Sequence, residues 1–194
     1  MPCAATIRSS PLGAVWLAVA LLLLAAAPSL ADDRAPSTGG WFEVDFGAGQ
    51  LQRSMPGFSD SAPRFFFNVA GGVATPRLLM LGVEVGGWEI RTTSPGDPSR
   101  GATVHPLFLT VRIYPLSGLP FNVRLGAGFI IAEGYAQYTS ADFTGLGWEA
   151  GVGYDVRIRG HHHITPFILY HGGQVSATAV NVRAVTVGAG YTWK

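Results

Sequence analysis

From Leu146 to Ile158 the chain alternates without a break. Leu146, Trp148, Ala150, Val152, Tyr154, Val156 and Ile158 fall on one side, and Gly147, Glu149, Gly151, Gly153, Asp155 and Arg157 on the other. A period of two is that of a β-strand, whose successive side chains point to opposite faces. The last stretch repeats it, with Val185, Val187, Ala189, Tyr191 and Trp193 against Thr186, Gly188, Gly190 and Thr192. The same template predicts eight strands, near 41–50, 64–74, 78–92, 103–114, 121–138, 144–158, 163–173 and 181–193. Strands with one apolar face must bury it, either in a sandwich core or against a lipid bilayer.

The connections favour the bilayer. Those after the second, fourth and sixth strands are short: Thr75-Pro76-Arg77, Leu116 to Pro120, and Gly160-His161-His162. Those after the first, third and seventh are longer and polar, such as Gly57 to Pro63 and Thr93 to Gly101, and the short fifth one, Thr139 to Asp142, falls on their side. Short turns at one end and longer loops at the other characterise a transmembrane barrel. The polar stripe, mostly Gly, Ala and Thr, is poor material for the wet outside of a sandwich. Aromatic residues gather toward the strand ends: Trp41, Phe42, Tyr114, Phe121, Tyr191 and Trp193 at the turn end, Phe65, Tyr135, Tyr138, Phe143, Trp148 and Tyr170 at the loop end. Aromatic rings favour membrane interfaces. The expected fold is therefore all-β, an eight-stranded antiparallel up-and-down barrel over 41–194, both termini on the short-turn side.

Residues 1–31 read as a cleaved secretory signal: Arg8, an apolar run from Leu12 to Ala27, and small residues before a cut after Ala31, with 32–40 a short lead-in to the barrel. Cys3 lies upstream of that run and leaves with it, so disulfides have no part in the fold. The chain is 48% hydrophobic and 13% charged, which excludes disorder. Thirteen Lys+Arg against 12 Asp+Glu leave no basic excess for a nucleic acid.

The signal, the eight segments and the aromatic-ended last strand resemble the small eight-stranded outer-membrane barrels of the OmpA/OmpX type, over 41–194. The resemblance implies the outer membrane of a Gram-negative bacterium, periplasmic termini, outer-membrane lipid as surroundings, and a monomer. It also implies delivery by periplasmic chaperones to the barrel assembly machinery, which would read Val185, Val187, Ala189, Tyr191 and Trp193. Lys194, after the aromatic Trp193, departs from the family's pattern.

With the apolar stripe facing lipid, the inner face carries Glu43, Asp45, Glu84, Arg112, Arg124, Glu149, Asp155 and Arg157, with Asn68, Thr110 and Asn122. Eight strands enclose just enough room for side chains, so these charges are expected to pair as a plug. A structural or interaction role follows, the alternative being a narrow ion channel. A third reading is a lipid A-modifying enzyme, since barrel deacylases in that resemblance use a histidine and serine two apart; here His171 is followed at that spacing by Gly173, Ser176 comes later, and Glu133 and Glu149 are unaligned helpers. No enzyme activity is expected. His161, His162 and His163 have no Cys, Asp or Glu beside them, and His105 reads as a rim residue, so neither a metal nor a cofactor is expected. Loops 51–63 and 93–102 are too short for a dedicated adhesin.

Overall fold

The structure is a computed structural model that describes residues 39–55, 58–75, 79–91, 101–116, 119–136, 139–175 and 180–194. The expected signal, 1–31, and the lead-in up to residue 38 lie outside the described residues, as do Ser176, Tyr138 and the centre of loop 93–102.

The alternating segments become β1 (Gly39–Met55), β2 (Phe58–Thr75), β3 (Leu79–Arg91), β4 (Gly101–Ile113), β5 (Phe121–Ala136), β6 (Thr139–Tyr154), β7 (Val156–Arg159), β8 (His162–Val175) and β9 (Val180–Trp193). β1 to β6 pair antiparallel in chain order, β8 pairs with β9, and β9 returns to β1 from Phe42↔Trp193 to Ser54↔Asn181. β6 and β7 form one stave interrupted at Asp155, since both pair with β8. The sheet is thus a closed eight-stranded antiparallel barrel, as the alternation predicts. Closure lets the sheet satisfy its own backbone hydrogen bonds with no open edge, the condition for a sheet to cross hydrocarbon.

The outer wall is apolar. Phe46, Phe65, Val83, Val85, Leu107, Leu109, Phe129 and Leu146 all stand exposed, Leu109 the most at 73%. Among the described residues no helix is long and apolar enough to cross a membrane. Val185, Tyr191 and Trp193 are likewise exposed on the outer face of β9. Phe42, Phe65 and Trp148 take the exposed positions that an aromatic girdle requires, but Trp41 and Tyr114 do not: both are buried inside the barrel.

Three local features differ from expectation. Residues 51–63 are mostly not a loop, because the β1–β2 ladder continues to Met55↔Phe58. Polar residues such as Gln52, Ser59 and Ser61 carry strand backbone here without the apolar alternation by which a strand is recognised. The β5–β6 ladder similarly reaches Ala136↔Thr139. His105 is no rim residue: it lies within β4, next to Pro106, and its Nδ1 donates to the Gly86 carbonyl at 3.1 Å. Proline has no N–H for a ladder bond, and the neighbouring imidazole supplies a donor. Gly160, in the β7–β8 turn, has φ +55°, a left-handed conformation that glycine adopts without Cβ strain.

Closure makes a direct prediction. Folded protein kept unboiled in dodecyl sulfate should migrate differently on a gel from boiled protein, and identical mobility of verified folded material would contradict a closed barrel.

Candidate functional site

The inward positions of the strands build three layers. At the turn end Trp41, Met80 and Tyr114 form a small apolar cluster with Ala70 and Ala74. At the loop end Leu51, Phe66, Trp88, Val104, Phe108, Ile130, Phe167, Leu169, Val175, Val182 and Ala184 form a larger one. Between them Glu43, Asp45, Glu84, Arg112, Arg124, Glu149 and Asp155 are buried together, as their inward parity predicts.

Arg124, on β5, is the hub. Its Nη1 lies 2.8 Å from Asp45 Oδ2 and 3.3 Å from Glu43 Oε1, and its Nε 2.9 Å from Glu149 Oε1 and 3.0 Å from Glu84 Oε2. Its Nη2 also donates to Glu84. One guanidinium thus ties β5 to carboxylates from β1, β3 and β6. Arg112 makes a two-pronged pair with Glu43, both bonds at 2.6 Å, and its guanidinium lies over the Trp41 ring at 5.4 Å. The planar fork of arginine matches a carboxylate in this way, whereas lysine offers a point charge. Trp41 is fixed in turn by a bond from Nε1 to the Leu81 carbonyl, 3.1 Å.

A second group surrounds Asp155. It accepts hydrogen bonds from Tyr114 (2.6 Å), Thr165 (2.8 Å) and Asn122 (3.0 Å), and pairs with Lys194. The break between β6 and β7 falls at this residue, whose backbone N–H bonds to Pro120 O at 2.9 Å. Lys194 is buried, its ammonium 4.6 Å from the Tyr114 ring centroid. Lys194, one residue beyond the aromatic Trp193, therefore acts as a counter-charge in the lumen.

Arg157 requires a correction. Its parity matches that of Asp155, but β7 projects past the turn-end rim, where no interior remains behind the inner face. The side chain is exposed and its Nε donates to Gly160 O at 2.8 Å. Tyr114, Thr165, Thr192 and Lys194 also join the network, Thr192 donating to Glu43 and lying 3.1 Å from the Thr165 hydroxyl; inward parity signals Thr165 and Thr192 in the sequence, whereas the aromatic character of Tyr114 masks its parity.

Glycine makes space for this packing. Gly190 faces Asp45 across the β1–β9 ladder, and a Cβ there would collide with the carboxylate. A Cβ on Gly126 would come within 2.8 Å of Glu149 Cγ.

His171 is buried among Phe66, Trp88 and Phe108, with ring centroids 5.4, 4.7 and 6.4 Å away. It faces the lumen, so it presents no nucleophile-activating base to lipid. His161, His162 and His163 take separate partners at the turn: the Lys194 carbonyl, the Tyr191 hydroxyl and the His161 carbonyl.

The Asp155–Lys194 pair is testable by a double-mutant cycle. Lys194→Met and Asp155→Asn should each destabilise the barrel by about 3–5 kcal/mol, as expected when one partner of a buried pair is removed. The double variant should lose less than the sum, and strict additivity in denaturant titrations would mean that the two charges do not depend on each other.

No family model matches the sequence, and no curated protein matches it significantly. Solved structures do. The chain is similar to Neisserial surface protein A, with a TM-score of 0.55 and 21% identity over 80% of this chain and 99% of that one. It is also similar to Ail, the attachment invasion locus protein of Yersinia pestis, with a TM-score of 0.58 and 15% identity over 79% of this chain and 99% of that one. Closure of eight antiparallel strands, the apolar outer wall and these likenesses agree that the chain has the fold of the small eight-stranded outer-membrane β-barrels.

Proposed function

We propose that the chain is an integral barrel of a Gram-negative outer membrane, with both termini in the periplasm and a structural or interaction role. The observation that carries this reading is the ionic layer centred on Arg124, stacked on an apolar layer of Phe66, Trp88, Phe108, Ile130, Phe167 and Leu169. An ion crossing the lumen would have to break paired charges and then pass a zone lined with rings and aliphatic chains. Eight strands leave little free bore in any case.

The exposed outer face of the last strand, Val185 to Trp193, supports its use as the segment read during assembly, with outer-membrane lipid around the finished barrel. A lipid-modifying activity is disfavoured by the inward placement of His171 and by Gly173 two residues on. Single-molecule conductance in planar bilayers tests the proposal: the native barrel should be nearly silent, and steady, well-resolved conductance would make the protein a channel instead.

A further inference from the structure

Among the described buried residues, five carboxylates (Glu43, Asp45, Glu84, Glu149 and Asp155) face only three side chains of fixed positive charge: Arg112, Arg124 and Lys194. Three carboxylate oxygens of the described buried residues lack a hydrogen-bond partner, Asp45 Oδ1, Glu84 Oε1 and Glu149 Oε2, and the last two belong to one cluster. Where the ionic and apolar layers meet, Glu84, Glu149 and His171 each bring one ligand atom to a common spot, all within 4.8 Å of one another. Arg124 occupies Oε2 of Glu84 and Oε1 of Glu149. The opposite oxygens, Glu84 Oε1 and Glu149 Oε2, have no hydrogen-bond partner, and neither has either ring nitrogen of His171. His171 Nε2 stands 3.2 Å from Glu149 Oε2, an ion-pair contact when the imidazole is protonated, though its angles lie outside hydrogen-bond geometry. All three residues are at most 2% exposed.

Buried polar atoms without partners are costly, and buried charge more so. Two carboxylate oxygens and an imidazole nitrogen are a donor set for a borderline transition-metal cation such as zinc. A charge of +2 also balances five carboxylates against three fixed cations. The rings of Phe66, Trp88 and Phe108 around His171 keep this spot dry, which strengthens any charge–charge attraction there.

We propose that Glu84, Glu149 and His171 form a buried binding site for a divalent transition-metal cation, clamping β3, β6 and β8 together across the lumen. The site is structural: it lies inside the wall, closed by the apolar layer toward the loop end and by Arg124 on its other side.

The test uses protein purified folded from membranes in detergent, stripped by a chelator and titrated with zinc. A background carrying His161→Ala, His162→Ala and His163→Ala removes the exposed turn imidazoles as competing ligands. One zinc per chain should then be retained, and the unfolding temperature should rise with metal. His171→Gln and Glu84→Gln should each weaken binding by at least about 10-fold, the lower end of what losing even an outer-shell partner does to a metal site. Heat-modifiable mobility checks that each variant is folded. Cobalt substitution into the parent reads the site with no variant at all, through the visible absorption of a cobalt ion held by imidazole and carboxylates. Folded parent that retains no stoichiometric metal overturns the proposal, the excess charge then resting on protons. Zinc retention unchanged in both folded variants overturns it as well.

Discussion

Arg124→Met should destabilise the barrel by about 3–5 kcal/mol, the cost of removing one partner from a buried ionic cluster. Methionine matches much of the arginine stem, so little of the loss comes from a cavity. What disappears is the one side chain that contacts Glu43, Asp45, Glu84 and Glu149 together. These carboxylates are buried inside the barrel, and without the guanidinium they must take up protons, water or cations. Arg124→Lys should recover only part of the loss, because an ammonium cannot span four acceptors from one plane. Adding Glu84→Gln to Arg124→Met should restore some stability by removing an uncompensated charge. Urea titrations in detergent or lipid vesicles measure all three, and native stability in Arg124→Met would remove the plug from the account of this protein. The same variant bears on conduction: small-cation leak in planar bilayers should rise in Arg124→Met.

Leu109→Arg should hinder folding into bilayers by about 2–4 kcal/mol, the cost of a cationic side chain near the midplane of a barrel's lipid face. Leu109 lies midway along the outward set His105, Leu107, Leu109, Val111 and Ile113 of β4 and is 73% exposed. In water an exposed leucine replaced by arginine would cost almost nothing, so the size of the effect distinguishes lipid from water around the wall. Its neighbour Thr110 points inward and bonds the Leu125 carbonyl at 3.3 Å. Thr110→Ser keeps that hydroxyl and should cost much less. Equal, small effects at both positions in vesicles would mean that the apolar wall is not immersed in a membrane.

Much of this architecture is legible in period-two patterning. Alternation is a local property of an extended chain, and closure of the barrel only requires that each strand keep one face inward. The inward parity of Glu43, Asp45, Glu84, Arg112, Arg124, Glu149 and Asp155 is therefore readable residue by residue, and all are buried together. The same parity turns Phe66, Trp88, Phe108 and Ile130 inward, but their apolar character makes them look like lipid-facing residues when hydropathy is weighed ahead of position. Trp41 and Tyr114 read as girdle residues for the same reason, although both are buried. An aromatic near a strand end suits an interface girdle equally well until a partner is seen, and here the partners are Arg112 over one ring and Lys194 over the other.

Strand ends are less legible. Beyond the apolar belt the ladder runs on through Gln52, Ser59 and Ser61, where water on the outer face removes the pressure for alternation while the backbone bonds persist. At the opposite rim Arg157 shares the parity of Asp155 yet is exposed, since an inner face has meaning only where an interior lies behind it.

Partnership across the lumen is where local pattern stops. Glu43 and Arg112 are 69 residues apart, Glu43 and Arg124 81, and the acceptors of Arg124 come from three other strands. Which of these meet depends on the stagger at which the sheet closes, and the β1–β9 register sets that stagger globally. A two-residue period names the residues that enter the interior; only closure of the barrel decides that Arg124 becomes a hub, that Lys194 reaches Asp155, and that Glu84, Glu149 and His171 converge on one dry spot.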